Sequence, residues 1–281
     1  MKHKIGVMQG RLLPKYKNQY QSHPVDYWDK EFDVAARIGL DLIEFIVDLE
    51  GIEENPLMTA GGVACVEEVA ARTGVQVASI CADCFMAAPL HSTDSMIAQK
   101  SLGYLRKLIS HAHRLRISDI VIPCVDQSSL RTVEDKDRFV AALESVLDDA
   151  EHNVVNLSLE TDLDPQSFAR LLERFQSPRV TVNYDTGNSA SLGYDPREEL
   201  LVYGKKISDI HIKDRVKGGG SVILGTGNTD FEVFFDALQP LDYRGFFILQ
   251  AYRDDEGRAV FSRQLNWIRP YIDSYEVLTK R

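Results

Sequence analysis

The chain has 281 residues, enough for one large α/β barrel or for two smaller domains. Its hydrophobic fraction of 44% and its charged fraction of 26% are typical of a water-soluble globular protein. A formal net charge of −10 disfavours nonspecific attraction to nucleic acid or to an anionic membrane surface. We find no signal-peptide core and no run apolar enough to span a membrane, so the sequence predicts a cytoplasmic protein with no membrane or nucleic-acid partner.

Apolar runs of strand length alternate with longer amphipathic segments along the chain. The predicted strands are residues 5–8, 42–47, 75–82, 120–124, 156–160, 180–185, 210–213 and 246–250. The predicted helices are residues 27–38, 57–73, 94–115, 133–152, 165–175, 196–203, 231–238 and 260–271. This alternation indicates a parallel sheet, and eight units at this length favour a closed (β/α)8 TIM barrel. With no linker or composition break, a single domain over residues 1–281 is predicted.

An open doubly wound sheet is the alternative to the barrel. It should carry a glycine-rich nucleotide fingerprint directly after its first strand. The chain has Gln9, Gly10 and Arg11 there, which do not match that fingerprint.

In a parallel barrel, side chains at the C-terminal ends of the strands converge on one mouth, where active sites form. Any single charge at a strand end is better explained as a surface loop residue. The set Glu160, Asp185 and His211 is harder to explain in this way, because each lies at or inside the end of an apolar run. Burying such groups is costly unless they are paired or bind a metal. With the amide oxygen of Gln250, they are ligands that suit Mn²⁺, Co²⁺, Mg²⁺ or Zn²⁺.

Several segments carry a resemblance to a known family. They include Tyr184-Asp185-Thr186-Gly187-Asn188, His211-Ile212-Lys213-Asp214 and Leu224-Gly225-Thr226-Gly227-Asn228. With them, nearly the whole chain resembles the xylose isomerase-like barrel superfamily of sugar isomerases, epimerases and dehydratases. The similarity is strongest toward the L-ribulose-5-phosphate 3-epimerase branch, formerly called hexulose-6-phosphate isomerase.

The resemblance implies metal ligands at Glu160, Asp185 and His211, with Gln250 at a position where the family holds glutamate. It implies a divalent cofactor, with Mn²⁺ expected first, a small sugar or sugar phosphate as partner, and a homodimer. Family 3-epimerases use two glutamates as acid and base on opposite faces of an enediolate. Gln250 cannot accept and return a proton as a carboxylate does, so the two-glutamate mechanism does not transfer directly.

Three alternatives follow from Gln250. Glu160 acts as a single base that moves a proton between adjacent carbons, or another group such as Lys213, Glu44 or His91 replaces the missing acid, or the protein binds a sugar without efficient turnover. We predict a metal-dependent isomerase or epimerase of a small sugar or sugar phosphate, with Glu160 and Lys213 as catalytic residues. A keto-sugar or keto-inositol dehydratase and a sugar-binding barrel are the alternatives.

The remaining polar residues near strand ends are predicted to contact the substrate. They are Gln9, Arg11, Glu44, Asn188 and Arg253. A salt bridge across the barrel mouth is the alternative for the two arginines, and a turn position is the alternative for Asn188. The basic, glycine-rich segment around residues 213–228 could bind an anion, but without a Walker pattern a flexible lid or an ordinary barrel loop is the stronger alternative.

Overall fold

The computed structural model describes residues 3–278, and within them eight parallel strands close into a barrel in sequence order. Pairing of β1 with β8, for example Ile5 with Phe247, completes the ring. The strands are β1 Ile5–Met8, β2 Leu42–Ile46, β3 Gln76–Cys81, β4 Asp119–Cys124, β5 Asn156–Thr161, β6 Val180–Asp185, β7 Ile207–Ile212 and β8 Phe247–Leu249. The predicted TIM-barrel fold is confirmed.

Helices surround the barrel between consecutive strands. Those of the described residues are α1 Trp28–Arg37, α2 Ala60–Thr73, α3 Cys84–Ala87, α4 Ser95–Leu115, α5 Val133–Glu144, α6 Leu147–Asn153, α7 Pro165–Leu172, α8 Thr186–Leu192, α9 Pro196–Tyr203, α10 Phe231–Leu238 and α11 Arg258–Leu278. Over residues 3–278, none of these helices combines the length and the apolarity that crossing a membrane requires.

Several elements differ from the predicted ones by more than small shifts of their ends. Strand β7 begins at Ile207, not at residue 210, because polar Ser208 and Asp209 interrupt the apolar run while both belong to the strand. The predicted helix 133–152 is two helices that meet at Val146. Helix α11 continues through Pro270, which the prediction treated as close to its end. The short helices α3 and α8 were not predicted.

The main hydrophobic core lies between the barrel and its helices, where side chains such as Phe32, Leu105 and Phe139 are fully buried. The barrel interior is partly polar, with Glu44 and Asp209 completely buried there. Strand ends that carry ionisable groups therefore lie above an interior that already holds carboxyl groups.

Candidate metal centre at the barrel mouth

Three predicted residues come together where β5, β6 and β7 end. Glu160, Asp185 and His211 each present a ligand atom, and these atoms lie within 4.8 Å of one another. All three side chains are almost completely buried. Two carboxylates and one imidazole at this separation can hold a divalent cation.

The two carboxylate oxygens of Asp185 have different roles. As the last residue of β6 it caps helix α8, because its Oδ1 accepts the backbone N–H of Asn188 at 2.8 Å. Its Oδ2 faces the cluster, 3.3 Å from the Lys213 ammonium and 3.9 Å from His211 Nδ1. The helix cap thus fixes which carboxylate oxygen is presented to a ligand.

His211 supplies the clearest indication that a cation fits. Its Nδ1 faces Asp185, is fully buried, and has no hydrogen-bond partner among the described residues. Its Nε2 lies 2.8 Å from Glu44 Oε1, without the alignment of a hydrogen bond. A carboxylate behind an imidazole whose other nitrogen is unpartnered is the arrangement that orients metal-binding histidines.

Glu160 is the ionisable group best placed to exchange a proton. Burial, and then the nearby Asp185 carboxylate, raise the pKa of Glu160 to about 7, against the opposing attraction of His211 and Lys213. Its Oε1 accepts a hydrogen bond from Asn188 Nδ2 at 2.5 Å. Asn188 Oδ1 in turn accepts from Arg215 at 2.7 Å. Asn188 lies in helix α8, not in a turn, and links Glu160 to the β7–α10 loop.

A second acidic group lies deeper in the barrel and shares His211. Glu44, Asp209 and His211 also present atoms within 4.8 Å of one another. Burial and Glu44 raise the pKa of Asp209 well above its usual range, and burial raises the pKa of Glu44 to about 7. Both are 0% exposed, whereas Glu160 is 6% and Asp185 is 5% exposed. Only the upper group borders the mouth, so the structure places Glu44 behind His211 and not at an open surface.

Lys213 and Gln250 complete the rim of the upper group. Lys213 Nζ donates to Gln250 Oε1 at 2.9 Å and lies 3.3 Å from Asp185 Oδ2. Gly187 makes room for the lysine, because a Cβ there would lie 2.7 Å from Lys213 Cγ and 3.1 Å from its carbonyl carbon. The Asp-Thr-Gly segment therefore allows α8 to start beside the lysine.

The two arginines predicted to contact substrate hold loop backbone in this structure. Buried Arg11 donates to the carbonyl oxygens of Ala251 and Tyr20 at 3.0 and 3.2 Å. Buried Arg253 donates to the carbonyl oxygens of Gly10 and Leu13. Together they fasten the loop after β1 to the end of β8. The alternative of a salt bridge across the mouth is not what the structure shows for these two arginines, which donate to carbonyl groups.

Gln9 is also fully buried. Its Oε1 accepts the Ile46 N–H at 3.1 Å and lies 2.9 Å from His23 Nδ1. Burial lowers the pKa of His23 to about 3, so this imidazole is neutral. Through its bond to Ile46, Gln9 joins the ends of β1 and β2. Substrate contact by Gln9, Arg11, Glu44 or Arg253 stays a prediction.

The glycine-rich segment after β7 is held from within. Asp214 accepts the backbone N–H groups of Gly225, Gly227 and Thr229 at 2.8–3.0 Å. Since these donors already bind a carboxylate of the same chain, this part of the segment has the geometry of an ordinary barrel loop.

Two residues at the mouth were not among the predicted site residues. Gln21 lies in the loop after β1 and Asp83 follows β3. Gln21 Nε2 donates to Asp83 Oδ2 at 2.8 Å, and Gln21 Oε1 accepts from Gln250 Nε2 at 3.0 Å. Asp83 follows a strand, as other candidates do, but nothing in the sequence around Gln21 indicates its contacts.

Comparisons with known proteins agree with this architecture. The family model described as a xylose isomerase-like TIM barrel matches residues 32–271. The L-ribulose-5-phosphate 3-epimerase UlaE of Salmonella heidelberg is 26% identical over 258 residues, which cover 88% of this chain and 90% of that protein.

Solved structures show the same fold. A D-tagatose 3-epimerase-like protein superposes with a TM-score of 0.77 at 16% identity, covering 97% of this chain and 98% of that one. An L-ribulose 3-epimerase superposes with a TM-score of 0.75 at 18% identity, covering 100% and 97%. With a family match over most of its length and a closed eight-stranded barrel, this chain belongs to the xylose isomerase-like TIM-barrel family.

Proposed function

We propose that the protein is a divalent-metal-dependent isomerase or epimerase of a small sugar or sugar phosphate. The observation that carries the proposal is the cluster of Glu160, Asp185 and His211, in which a buried imidazole nitrogen lies near two carboxylates and has no hydrogen-bond partner among the described residues. The UlaE relative bears the name of a sugar-phosphate epimerase, which supports this substrate class.

Glu160, Asp185 and His211 would hold the cation. Gln250 is the proposed fourth ligand, and its Oε1 accepts a hydrogen bond from Lys213 Nζ at the edge of the cluster. Mn²⁺ is the first candidate, and Co²⁺, Mg²⁺ or Zn²⁺ suit the same donors. When bound, the cation supplies a Lewis acid for oxygens of a sugar carbonyl and its neighbouring hydroxyl.

Glu160 is the proposed base. Burial and Asp185 raise the pKa of Glu160 to about 7 before any cation binds, so its carboxylate accepts a proton more strongly than an ordinary glutamate. Asn188 fixes the side chain by donating to Oε1, which leaves Oε2 to take the proton from the carbon next to the carbonyl. If Glu160 also returns the proton to the adjacent carbon, the reaction is an aldose–ketose isomerisation.

Lys213 is the proposed second proton group. Its ammonium bonds Gln250 and Asp185 at the rim of the cluster, where a glutamate at position 250 would have supplied an acid. If it delivers a proton to the opposite face of the same carbon, the configuration at that carbon inverts and the reaction is an epimerisation.

The test is solvent-deuterium exchange into a panel of ketoses and ketose phosphates, with Mn²⁺ added and with EDTA as control. We expect exchange with at least one member, lost in EDTA and in Glu160→Gln. The labelled carbon and the product identify the reaction. Lys213→Met distinguishes isomerisation by Glu160 alone from epimerisation that uses Lys213. If Lys213 supplies the second proton, this variant retains exchange and loses inversion. No exchange with any member, with Glu160→Gln equal to wild type, would reject the proposal.

A further inference from the structure

The most informative feature beyond the metal cluster is a line of hydrogen bonds across the mouth that ends on Gln250. Asp83 Oδ2 accepts from Gln21 Nε2 at 2.8 Å. Gln21 Oε1 accepts from Gln250 Nε2 at 3.0 Å. Gln250 Oε1 then accepts from Lys213 Nζ at 2.9 Å. Every donor in the line meets an acceptor.

The orientation of the Gln21 amide is determined by its two neighbours. A carboxylate such as Asp83 offers only acceptors, and a guanidinium such as Arg11 offers only donors. Arg11 NH2 donates to Gln21 Oε1 at 2.8 Å, so this oxygen is held on the Arg11 side while the NH₂ group faces Asp83. Reversing the amide would set donor against donor at Arg11 and acceptor against acceptor at Asp83.

The same logic applies one step further along the line. Since Gln21 presents an oxygen to residue 250, residue 250 must donate, and the Gln250 NH₂ group fills this role. The Gln250 oxygen is thereby turned toward Lys213 and, through it, toward Asp185. An ionised glutamate at position 250 would place an acceptor against Gln21 Oε1.

We propose that Gln21 is a positioning residue which, held by Asp83 and Arg11, fixes residue 250 as an amide with its oxygen toward the cation site. The mouth is built around glutamine at position 250, and an ionised glutamate there is disfavoured by the oxygen that Gln21 presents to it. The consequence for cation binding rests on the proposed function, whereas the consequence for the metal-free fold does not.

A double-mutant cycle tests the coupling between residues 21 and 250. The four proteins are wild type, Gln21→Met, Gln250→Glu and the double variant, since methionine keeps the length of glutamine without its hydrogen bonds. Gln19→Met, an exposed position in the same loop, is the matched control. All measurements are made at about pH 8, where an ordinary glutamate is ionised and cannot imitate the amide donor.

The first readout is thermal unfolding in EDTA. We expect Gln250→Glu to lower the melting temperature by about 2–4 °C when Gln21 is present and to have little effect when residue 21 is methionine. Any gain from an ion pair between the introduced carboxylate and Lys213 occurs in both backgrounds and cancels in the cycle. Equal shifts in both backgrounds would overturn the proposal, because they would mean that Gln21 only fills space.

The second readout is Mn²⁺ affinity, measured by the loss of the free-ion electron paramagnetic resonance signal. The extra negative charge of Gln250→Glu should tighten binding about tenfold in the Gln21→Met background and much less in wild type. Identical tightening in both backgrounds counts against the proposal. If none of the four proteins binds Mn²⁺, the proposed metal function fails, and the EDTA cycle still decides the role of Gln21.

Discussion

The two sides of the barrel mouth differ in how their buried polar groups are satisfied. On the β5–β7 side, Glu160 and Asp185 lie together and His211 Nδ1 has no hydrogen-bond partner among the described residues. On the β8–β1 side, Arg11 and Arg253 donate to backbone carbonyl oxygens of the adjoining loops. The β5–β7 side therefore keeps polar atoms that can still bind a ligand. The polar atoms of the two arginines on the β8–β1 side already hydrogen-bond within the protein and hold the rim together.

This contrast separates residues that looked alike in the sequence. A buried polar atom without a partner costs free energy unless a ligand satisfies it, whereas a guanidinium with carbonyl partners needs no ligand. Gln250 lies at the border, with its oxygen turned toward the β5–β7 side and its NH₂ group toward the β8–β1 side. Each prediction below tests one side of this division.

The largest expected effect is on the β5–β7 side. Asp185→Asn removes one negative charge from the cluster and keeps the cap of α8, because asparagine is also a favourable N-cap. We expect Mn²⁺ affinity to fall by about 10²-fold or more, with a smaller loss of unfolding free energy because the pairing of Oδ2 with Lys213 is lost. Calorimetric titration and urea unfolding measure the two. Unchanged affinity would exclude Asp185 as a ligand.

The β8–β1 side should respond in the opposite manner. Arg253→Met leaves the carbonyl oxygens of Gly10 and Leu13 without their donor, and we expect the unfolding free energy to fall by about 2–3 kcal/mol. Mn²⁺ affinity should change less than about twofold, because the cluster is not touched. An increase in KM of more than about twofold, with Mn²⁺ affinity unchanged, would support the substrate contact predicted for Arg253 from the sequence. Unchanged stability would contradict the role of Arg253 in the rim.

The pH dependence of stability tests the raised pKa of Glu160 on the β5–β7 side. The pKa of Glu160 is about 7 in the folded protein, above its ordinary value, so its stabilising contribution is present at low pH and is lost as pH rises through 7. Glu160→Gln keeps the acceptor for Asn188 and cannot ionise. In EDTA, wild type should lose about 2 kcal/mol relative to this variant between about pH 5 and pH 8, measured by urea unfolding. If the unfolding free energies of wild type and Glu160→Gln change with pH in parallel, the pKa of Glu160 is not raised.

The barrel and the cluster were predictable for one physical reason. Parallel strands are buried on both faces, so an ionisable residue that ends an apolar run marks both the strand end and the mouth. Glu160, Asp185 and His211 all carried this mark, and the structure brings them together. The early start of β7 was not predictable in this way, because Ser208 and Asp209 turn toward other polar side chains of the barrel.

What the sequence left open depends on loop conformation. An arginine at a strand end has the same appearance whether it will bind a substrate or a loop carbonyl, so Arg11 and Arg253 could not be assigned. Gln21 is separated from Asp83 by 62 residues and from Gln250 by 229, and no local pattern encodes either contact. Polarity at strand ends locates a site, but the partners of each polar atom decide its role.

A pair of glycines tests the fit of α8 against Lys213, and the control member of this pair has the smallest expected effect. Gly187→Ala places a methyl group 2.7 Å from Lys213 Cγ, and we expect it to destabilise the fold by about 1–3 kcal/mol. Gly103→Ala, in α4, meets open space and should stabilise by about 0.5–1 kcal/mol. Thermal and urea unfolding measure both. Because Lys213 bonds Gln250 and Asp185, Gly187→Ala should also reduce exchange activity, whereas Gly103→Ala should not. If both substitutions change stability and activity in the same way, Gly187 is an ordinary helix residue and is not needed to make room for Lys213.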